Sequence, residues 1–127
     1  MRWLDNKMEA LKEIEKVHFI GIGGIGMSAL AQLLIRLGYE VTGSDIRYTA
    51  LVKKIEDMGA KVFISHSPTN IKDVNLVVYS SSISQDNVEL VEDKRRGICV
   101  KSRGRLLAEL MNDKKGIAIC GTHGKTT

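Results

Sequence analysis

The feature that most constrains this chain is Val17-His18-Phe19-Ile20-Gly21-Ile22-Gly23-Gly24-Ile25-Gly26-Met27-Ser28, an apolar run that enters a glycine-rich turn and opens a helix pattern. A strand ending in Gly21-x-Gly23-x-x-Gly26 commits the chain to a strand–turn–helix unit. Its glycines permit a sharp turn, bring backbone N–H groups close to a pyrophosphate and pack the helix on the strand. The helix N-terminus adds about half a positive charge facing the anion. Gly23 and Gly24 are expected to be the least replaceable residues, because a Cβ at either would intrude where backbone meets phosphate or where the turn needs positive φ. Such turns also occur where only tight packing is needed, so the surroundings carry weight. The helix pattern over 25–37 stops at Gly38, residues 40–43 read as a second strand, and Asp45 falls where a ribose-binding acid is expected, about 20 residues past the glycines.

From Lys16 onward strand-like and helix-like segments alternate, which is the signature of a parallel sheet covered by helices. The fold class is therefore α/β, a Rossmann-like parallel sheet with helices on both faces. Strands are expected near 16–20, 40–44, 61–64, 75–79 and 97–100, with another at 116–120, and helices near 25–37, 49–58, 86–96 and 103–112. Leu4, Met8, Leu11 and Ile14 give residues 1–15 an amphipathic helix pattern. Gly38, Gly59 and Gly97 stand where helices should stop, and Pro68 lies in the polar loop Ser65–Asn70. The polar stretch Asn112–Gly116 is the one break in the alternation, so residues 1–112 read as one domain and 113–127 as a linker, strand and loop that begin something else.

With 127 residues, 43% hydrophobic and 27% charged, the chain can bury a real core under a charged surface. Its net charge of +4 is mild and scattered. Lys94-Arg95-Arg96 follows Glu89, Glu92 and Asp93 and reads as a solvated helix end that complements the helix dipole. No basic stripe interleaved with aromatics appears, so a nucleic-acid partner is not expected. Cys99 and Cys120 sit in short apolar runs and read as buried strand residues, with no metal pair or disulfide framework, which fits a reducing compartment. The N-terminus lacks a signal-peptide layout, and no apolar run approaches the ~18 residues of a membrane span. A cytoplasmic location without membrane association is expected.

In open α/β sheets ligands sit beyond the carboxyl ends of the strands. Four polar stretches fall there: the glycine turn at 21–26, Gly43-Ser44-Asp45, Ser65-His66-Ser67 and Ser80-Ser81-Ser82. Together they can line one crevice suited to ribose and phosphate oxygens. The candidate ligand residues are Gly21, Gly23, Gly24, Ile25, Gly26, Met27, Ser28, Ser44, Asp45, His66, Ser80, Ser81 and Ser82. Asp45 either meets the nucleotide or caps a turn, and the serine run is either a ligand contact or the N-cap of helix 86–96. His66 either donates to a ligand oxygen, stacks on a base or is simply solvated. His18, inside the first strand, reads as structural.

The chain closes on Gly116-Ile117-Ala118-Ile119-Cys120-Gly121-Thr122-His123-Gly124-Lys125-Thr126-Thr127, a strand followed by a phosphate loop. The loop is shorter than GxxxxGK[ST], since the position five before Gly124 is Ile119. Its chemistry is still that of a triphosphate cradle: glycines expose N–H groups, Lys125 brings a point charge to the β and γ phosphates, and the Thr126 hydroxyl can hold Mg²⁺.

Gly21–Ser28, Val41-Thr42-Gly43-Ser44-Asp45, Tyr79-Ser80-Ser81-Ser82-Ile83 and Gly121–Thr127 together resemble the Mur ligase family of peptidoglycan precursor synthesis, from about residue 16 to the end. Ser82 departs from the family's usual Ser-Ser-Ala-Ile, and His123 points to the alanine-adding member. The resemblance implies an ATP- and Mg²⁺-dependent enzyme of three domains that joins L-alanine to UDP-N-acetylmuramate through an acyl phosphate. It implies that residues 1–112 bind the UDP part of the substrate. Gly121, Thr122, His123, Gly124, Lys125, Thr126 and Thr127 would hold the ATP phosphates, Lys125 and Thr126 would be catalytic and Thr126 would ligate Mg²⁺. The L-alanine pocket would lie outside this chain, which alone would be inactive. A nicotinamide-dependent oxidoreductase domain and a nucleotide-sensing module are the competing readings. The terminal loop argues against the first, because hydride transfer needs no Gly-Lys-Thr cradle.

Overall fold

A computed structural model describes residues 13–112. Strands β1 (Lys16–Ile20), β2 (Glu40–Asp45), β3 (Lys61–Ile64), β4 (Leu76–Tyr79) and β5 (Cys99–Ser102) form one all-parallel sheet in the order β3-β2-β1-β4-β5. Helix α1 (Ile25–Arg36) links β1 to β2, α2 (Ala50–Asp57) links β2 to β3, α3 (Val88–Arg96) links β4 to β5, and α4 (Arg103–Met111) follows β5. A 3-10 turn, Pro68–Asn70, stands in the crossover from β3 to β4. The expected α/β fold with a parallel sheet is the one observed.

The period of two along β1 distributes the helices. Val17 and Phe19 turn to one face, where Met27, Leu30, Ala31 and Leu34 of α1, Ile55 of α2 and Leu106 and Leu110 of α4 close a fully apolar cluster. Ile20 turns to the other face and packs with Ile71, Val74, Val77 and Leu90 of α3. Helices thus cover both faces.

The strand and helix boundaries differ from the sequence expectation where a turn takes residues for itself. Gly97 closes α3 with φ 75°, and the N–H of Ile98 returns to the Asp93 carbonyl, so β5 begins at Cys99 rather than at 97. Asn87 is the N-cap of α3, which places the helix start at 88 rather than 86. Asn75 accepts the N–H groups of Glu15 and Lys16 on its side-chain oxygen, and β4 starts one residue later. Gly38 and Gly59, with φ of 100° and 116°, do end their helices. Cys99 is only half-buried, where a buried strand cysteine was expected. The amphipathic pattern of 1–15 lies outside the described residues except for its last three positions, and so do the strand at 116–120 and the loop Gly121–Thr127.

Candidate nucleotide site

At the carboxyl edge of the sheet the glycine turn lies over the end of β2. Ser44 O accepts from Gly21 N at 2.8 Å and Ile22 N at 3.0 Å, so the turn continues the β1–β2 ladder. Ile22 packs so tightly on Gly43 that a Cβ on Gly43 would stand 2.5 Å from the Ile22 side chain. The positive φ expected at Gly23 or Gly24 is instead at Gly21, with φ 85°. Gly23 is required by crowding, because its Cβ would meet Asp45 Oδ2 at 2.8 Å and Val52 at 3.1 Å. Gly24 is in ordinary extended backbone, and its Cβ would meet nothing closer than 3.7 Å. Gly26 admits the Arg103 side chain, whose Nε would lie 3.1 Å from an added Cβ.

The backbone hydrogen bonds of the turn show where an anion can be held. Gly23 N donates to Asp45 Oδ2, Gly24 N to Gly21 O and Ser28 N to Gly24 O. The N–H groups of Ile25, Gly26 and Met27 are left without a backbone acceptor among the described residues. The α2, α3 and α4 N-termini are capped by the side chains of Thr49, Asn87 and Ser102, whereas α1 has no side-chain cap. The uncapped helix is the one at the glycine turn, and uncapped N–H groups with the helix dipole behind them favour an anion.

These groups open onto a crevice of about 640 Å³. Of the expected ligand residues, Gly21, Gly23, Gly24, Gly26, Met27, Asp45, His66, Ser80 and Ser82 border it. Ile25 contributes a backbone N–H, while its side chain is 83% exposed. The Ser28 side chain is buried and accepts from Gln32, Ser44 is buried behind His66, and Ser81 is exposed outside the crevice. The serine run does not cap α3, because Asn87 does; Ser80 and Ser82 hydrogen-bond each other at the crevice wall. Asp45 serves the turn with both oxygens, accepting from Gly23 N at 2.7 Å and from Ile46 N at 2.7 Å. Arg47 and Arg103 also line the crevice and were not singled out by the sequence reading. Arg103 opens α4 directly after β5, a strand-end position of the same kind as the four polar stretches. Among the described residues no three metal-ligating side chains cluster, and no helix is long and apolar enough to cross a membrane.

The profile of the Mur ligase family catalytic domain matches residues 16–115. The chain belongs to the Mur ligase family. Among curated relatives, the UDP-N-acetylmuramate–L-alanine ligase of Aquifex aeolicus is 53% identical over 91% of this chain and 26% of that protein. That of Carboxydothermus hydrogenoformans is 56% identical over 92% of the chain and 25% of that protein. The chain therefore spans about a quarter of the length of the curated relatives it matches. The crystal structure of UDP-N-acetylmuramate–alanine ligase from Thermotoga maritima superposes with a TM-score of 0.74 at 33% identity, covering 76% of this chain and 23% of that one. A murein peptide ligase from Psychrobacter arcticus gives a TM-score of 0.68 at 26% identity, covering 75% of this chain and 20% of that one.

Behind the crevice of this Mur ligase domain lies a buried polar network that the sequence reading missed. Glu89, expected on a solvated helix face, is fully buried on α3. Its Oε1 accepts from His18 Nε2 at 2.8 Å and from the Ser44 hydroxyl at 2.8 Å. Its Oε2 accepts from Ser67 N at 2.9 Å and from Asn70 Nδ2 at 2.6 Å. Burial opposes the carboxylate charge, but the bonds from His18, Ser67 and Asn70 outweigh it and hold the group below its ordinary value. His18, also fully buried, completes its pairing with Thr42 Oγ1 at 2.7 Å. The signal for this network was the alternation itself: His18, Thr42 and Ser44 share one sheet face, and a face covered by a helix needs a partner for each.

Proposed function

We propose that residues 1–112 are the UDP-substrate-binding domain of a ligase that joins L-alanine to UDP-N-acetylmuramate. The observation that carries this reading is the uncapped α1 N-terminus, whose free N–H groups at Ile25, Gly26 and Met27 meet Arg47 and Arg103 at one crevice. A diphosphate fits that donor set: oriented N–H groups and a dipole hold its oxygens, and guanidinium groups answer its charge. The names of the relatives supply the rest of the ligand. In this reading Gly21, Gly23, Gly24, Gly26 and Met27 surround the diphosphate, Asp45 and His66 lie toward the nucleoside, and Ser80 and Ser82 lie on the opposite wall. Ile25 and Ser28 act through the helix they begin, and Ser44 acts through His66. Ser81 is the weakest of the proposed contacts, since it stands outside the crevice.

Residues 113–127 are proposed to begin a central domain in which Gly121–Thr127 cradle ATP, Lys125 stabilises the transferred phosphoryl group and Thr126 helps to hold Mg²⁺. The L-alanine pocket belongs to the rest of such an enzyme, which would act in the cytoplasm in cell wall synthesis and so in cell shape and division. Thermal denaturation of the chain with UDP-N-acetylmuramate and with NAD tests the reading. At ligand a hundredfold above its Kd the stabilisation should be about 2.7 kcal/mol for the UDP compound and absent for NAD. No shift with the UDP compound, or a larger one with NAD, would sink it.

A further inference from the structure

The buried network behind the crevice dictates which nitrogen of His66 carries the proton. Glu89 is ionised and can only accept, so the Ser44 hydroxyl, 2.8 Å from Glu89 Oε1, spends its single proton on that bond. Ser44 Oγ also stands 2.9 Å from His66 Nδ1, and with its proton committed it can only accept there. His66 Nδ1 must therefore carry hydrogen. In the neutral ring Nε2 then holds a lone pair, and Nε2 has no partner among the described residues while His66 borders the crevice.

We propose that Glu89, acting through Ser44, fixes His66 as a hydrogen-bond acceptor for the nucleoside part of the ligand, a ribose hydroxyl or the imide N–H of the base. The place of His66 in the sheet order selects the nucleoside over the diphosphate. The free N–H groups follow β1, Asp45 ends β2, and His66 follows β3, on the far side of β2 from the glycine turn. In sheets of this kind the acid after β2 marks the ribose, so His66 lies beyond it, away from the phosphates. His66 is thus a specificity-determining residue that accepts a hydrogen bond from the ligand, where the sequence alone left a donor, a stacking ring and a solvated side chain open. This inference rests on the UDP reading of the crevice.

The sign of the pH dependence separates an acceptor from a cationic phosphate ligand. Protonating His66 places hydrogen on Nε2 and abolishes the acceptor, whereas an imidazolium facing phosphate would bind more tightly. Glu89 from α3 is the charged group beside His66, with His18 of β1 behind it, and the charged groups that share the crevice with it are Asp45 and Arg47 at the exit of β2 and Arg103 from α4.

Two measurements on the full chain decide the matter. ¹⁵N NMR of the ligand-free protein should show neutral His66 as the Nδ1–H tautomer, with that preference lost in Ser44→Ala; an Nε2–H ring in the wild type overturns the lock, whatever binds. Calorimetric titration with UDP and with pyrophosphate, between about pH 5.5 and 8, tests the role. Wild type should bind UDP about tenfold more tightly than His66→Ala at pH 8, with the advantage vanishing on acidification and with pyrophosphate indifferent to the substitution. Comparison with His66→Ala cancels the titration of the nucleotide itself. An advantage that grows on acidification, or one shared by pyrophosphate, overturns the proposal in favour of a phosphate contact. Repeating the titration with 2′-deoxy-UDP, 3′-deoxy-UDP and N3-methyl-UDP locates the donor: the analogue that loses the His66 advantage lacks it, and retention by all three overturns the nucleoside assignment. Failure of the wild type to bind UDP at any pH would overturn the UDP reading itself, while the NMR result would still judge the tautomer.

Discussion

Two adjacent glycines in the same turn are constrained by different things. Gly23 is held by the protein itself, through Asp45 Oδ2 at 2.8 Å from its notional Cβ, whereas Gly24 has room for a methyl group and an unstrained backbone. Gly23→Ala should therefore destabilise the fold by about 1–3 kcal/mol in denaturant melts, and Gly24→Ala by less than about 0.5 kcal/mol. Gly24→Val should nevertheless weaken UDP binding, because the bulk then stands at the mouth of the uncapped helix; undiminished affinity in a folded variant would remove Gly24 from the site. Arg103 gives the complementary case. Its guanidinium packs over Gly26 and borders the crevice with no hydrogen-bond or ion-pair partner among the described residues. Arg103→Ala should leave the melting temperature unchanged and reduce UDP affinity by about 10- to 100-fold, the worth of a hydrogen bond to a charged group.

At the scale of elements, α3 carries two buried carboxyl groups of opposite character. Burial, reinforced by Glu89 nearby, pushes the Asp93 carboxyl up to about 7, against a smaller opposing pull from Arg96, and neither Asp93 oxygen has a hydrogen-bond partner among the described residues. Between about pH 4 and pH 7 the unfolded chain has lost this proton and the folded chain retains it, so stability falls as pH rises through that window and levels above it. The stability gap between Asp93→Asn and wild type should grow in the variant's favour by about 2–3 kcal/mol from pH 5 to pH 8, measured by urea denaturation. Glu89 works the other way. Its folded value lies below the ordinary 4.5, so its contribution is complete above that pH and is lost as pH falls through the folded value. Glu89→Gln should accordingly flatten the acid limb of the stability profile. The cap that seats this helix is Asn87, whose Oδ1 accepts from Glu89 N at 2.9 Å and Leu90 N at 3.4 Å; Asn87→Ala should cost about 1 kcal/mol.

At the scale of the whole molecule, the described residues that line the crevice all fall between 21 and 103, and nucleotide binding is predicted to be independent of the terminal phosphate loop. Lys125→Ala is expected to leave UDP affinity of the chain unchanged and to abolish ATP-dependent ligation in an enzyme that contains it; a parallel loss of UDP binding would merge two sites that are proposed as separate. The parallel sheet, its helices and the glycine turn were legible in the sequence because each rests on local chemistry. Periods of two and of 3.6 mark buried faces, Gly38, Gly59 and Gly97 end helices through their own φ, and a strand running into GxGxxG allows little but a turn into a helix. Asp45, His66, Ser80 and Ser82 were found at the crevice by the same logic, since strand ends in a parallel sheet share one edge. Tertiary structure alone decided what each side chain meets. Glu89 sits in a charged run whose sequence looks solvated, and only the packing of α3 over β1 and β2 brings it to His18 and Ser44, 71 and 45 residues away. Arg103 reaches Gly26 because the sheet order sets β5 and α4 beside the β1–β4 end of the crevice. The tautomer of His66 follows from a proton count along that chain of contacts. Periodicity is a property of neighbours in sequence, whereas the partner of a buried charge is set by strand order and register, and those belong to the folded chain.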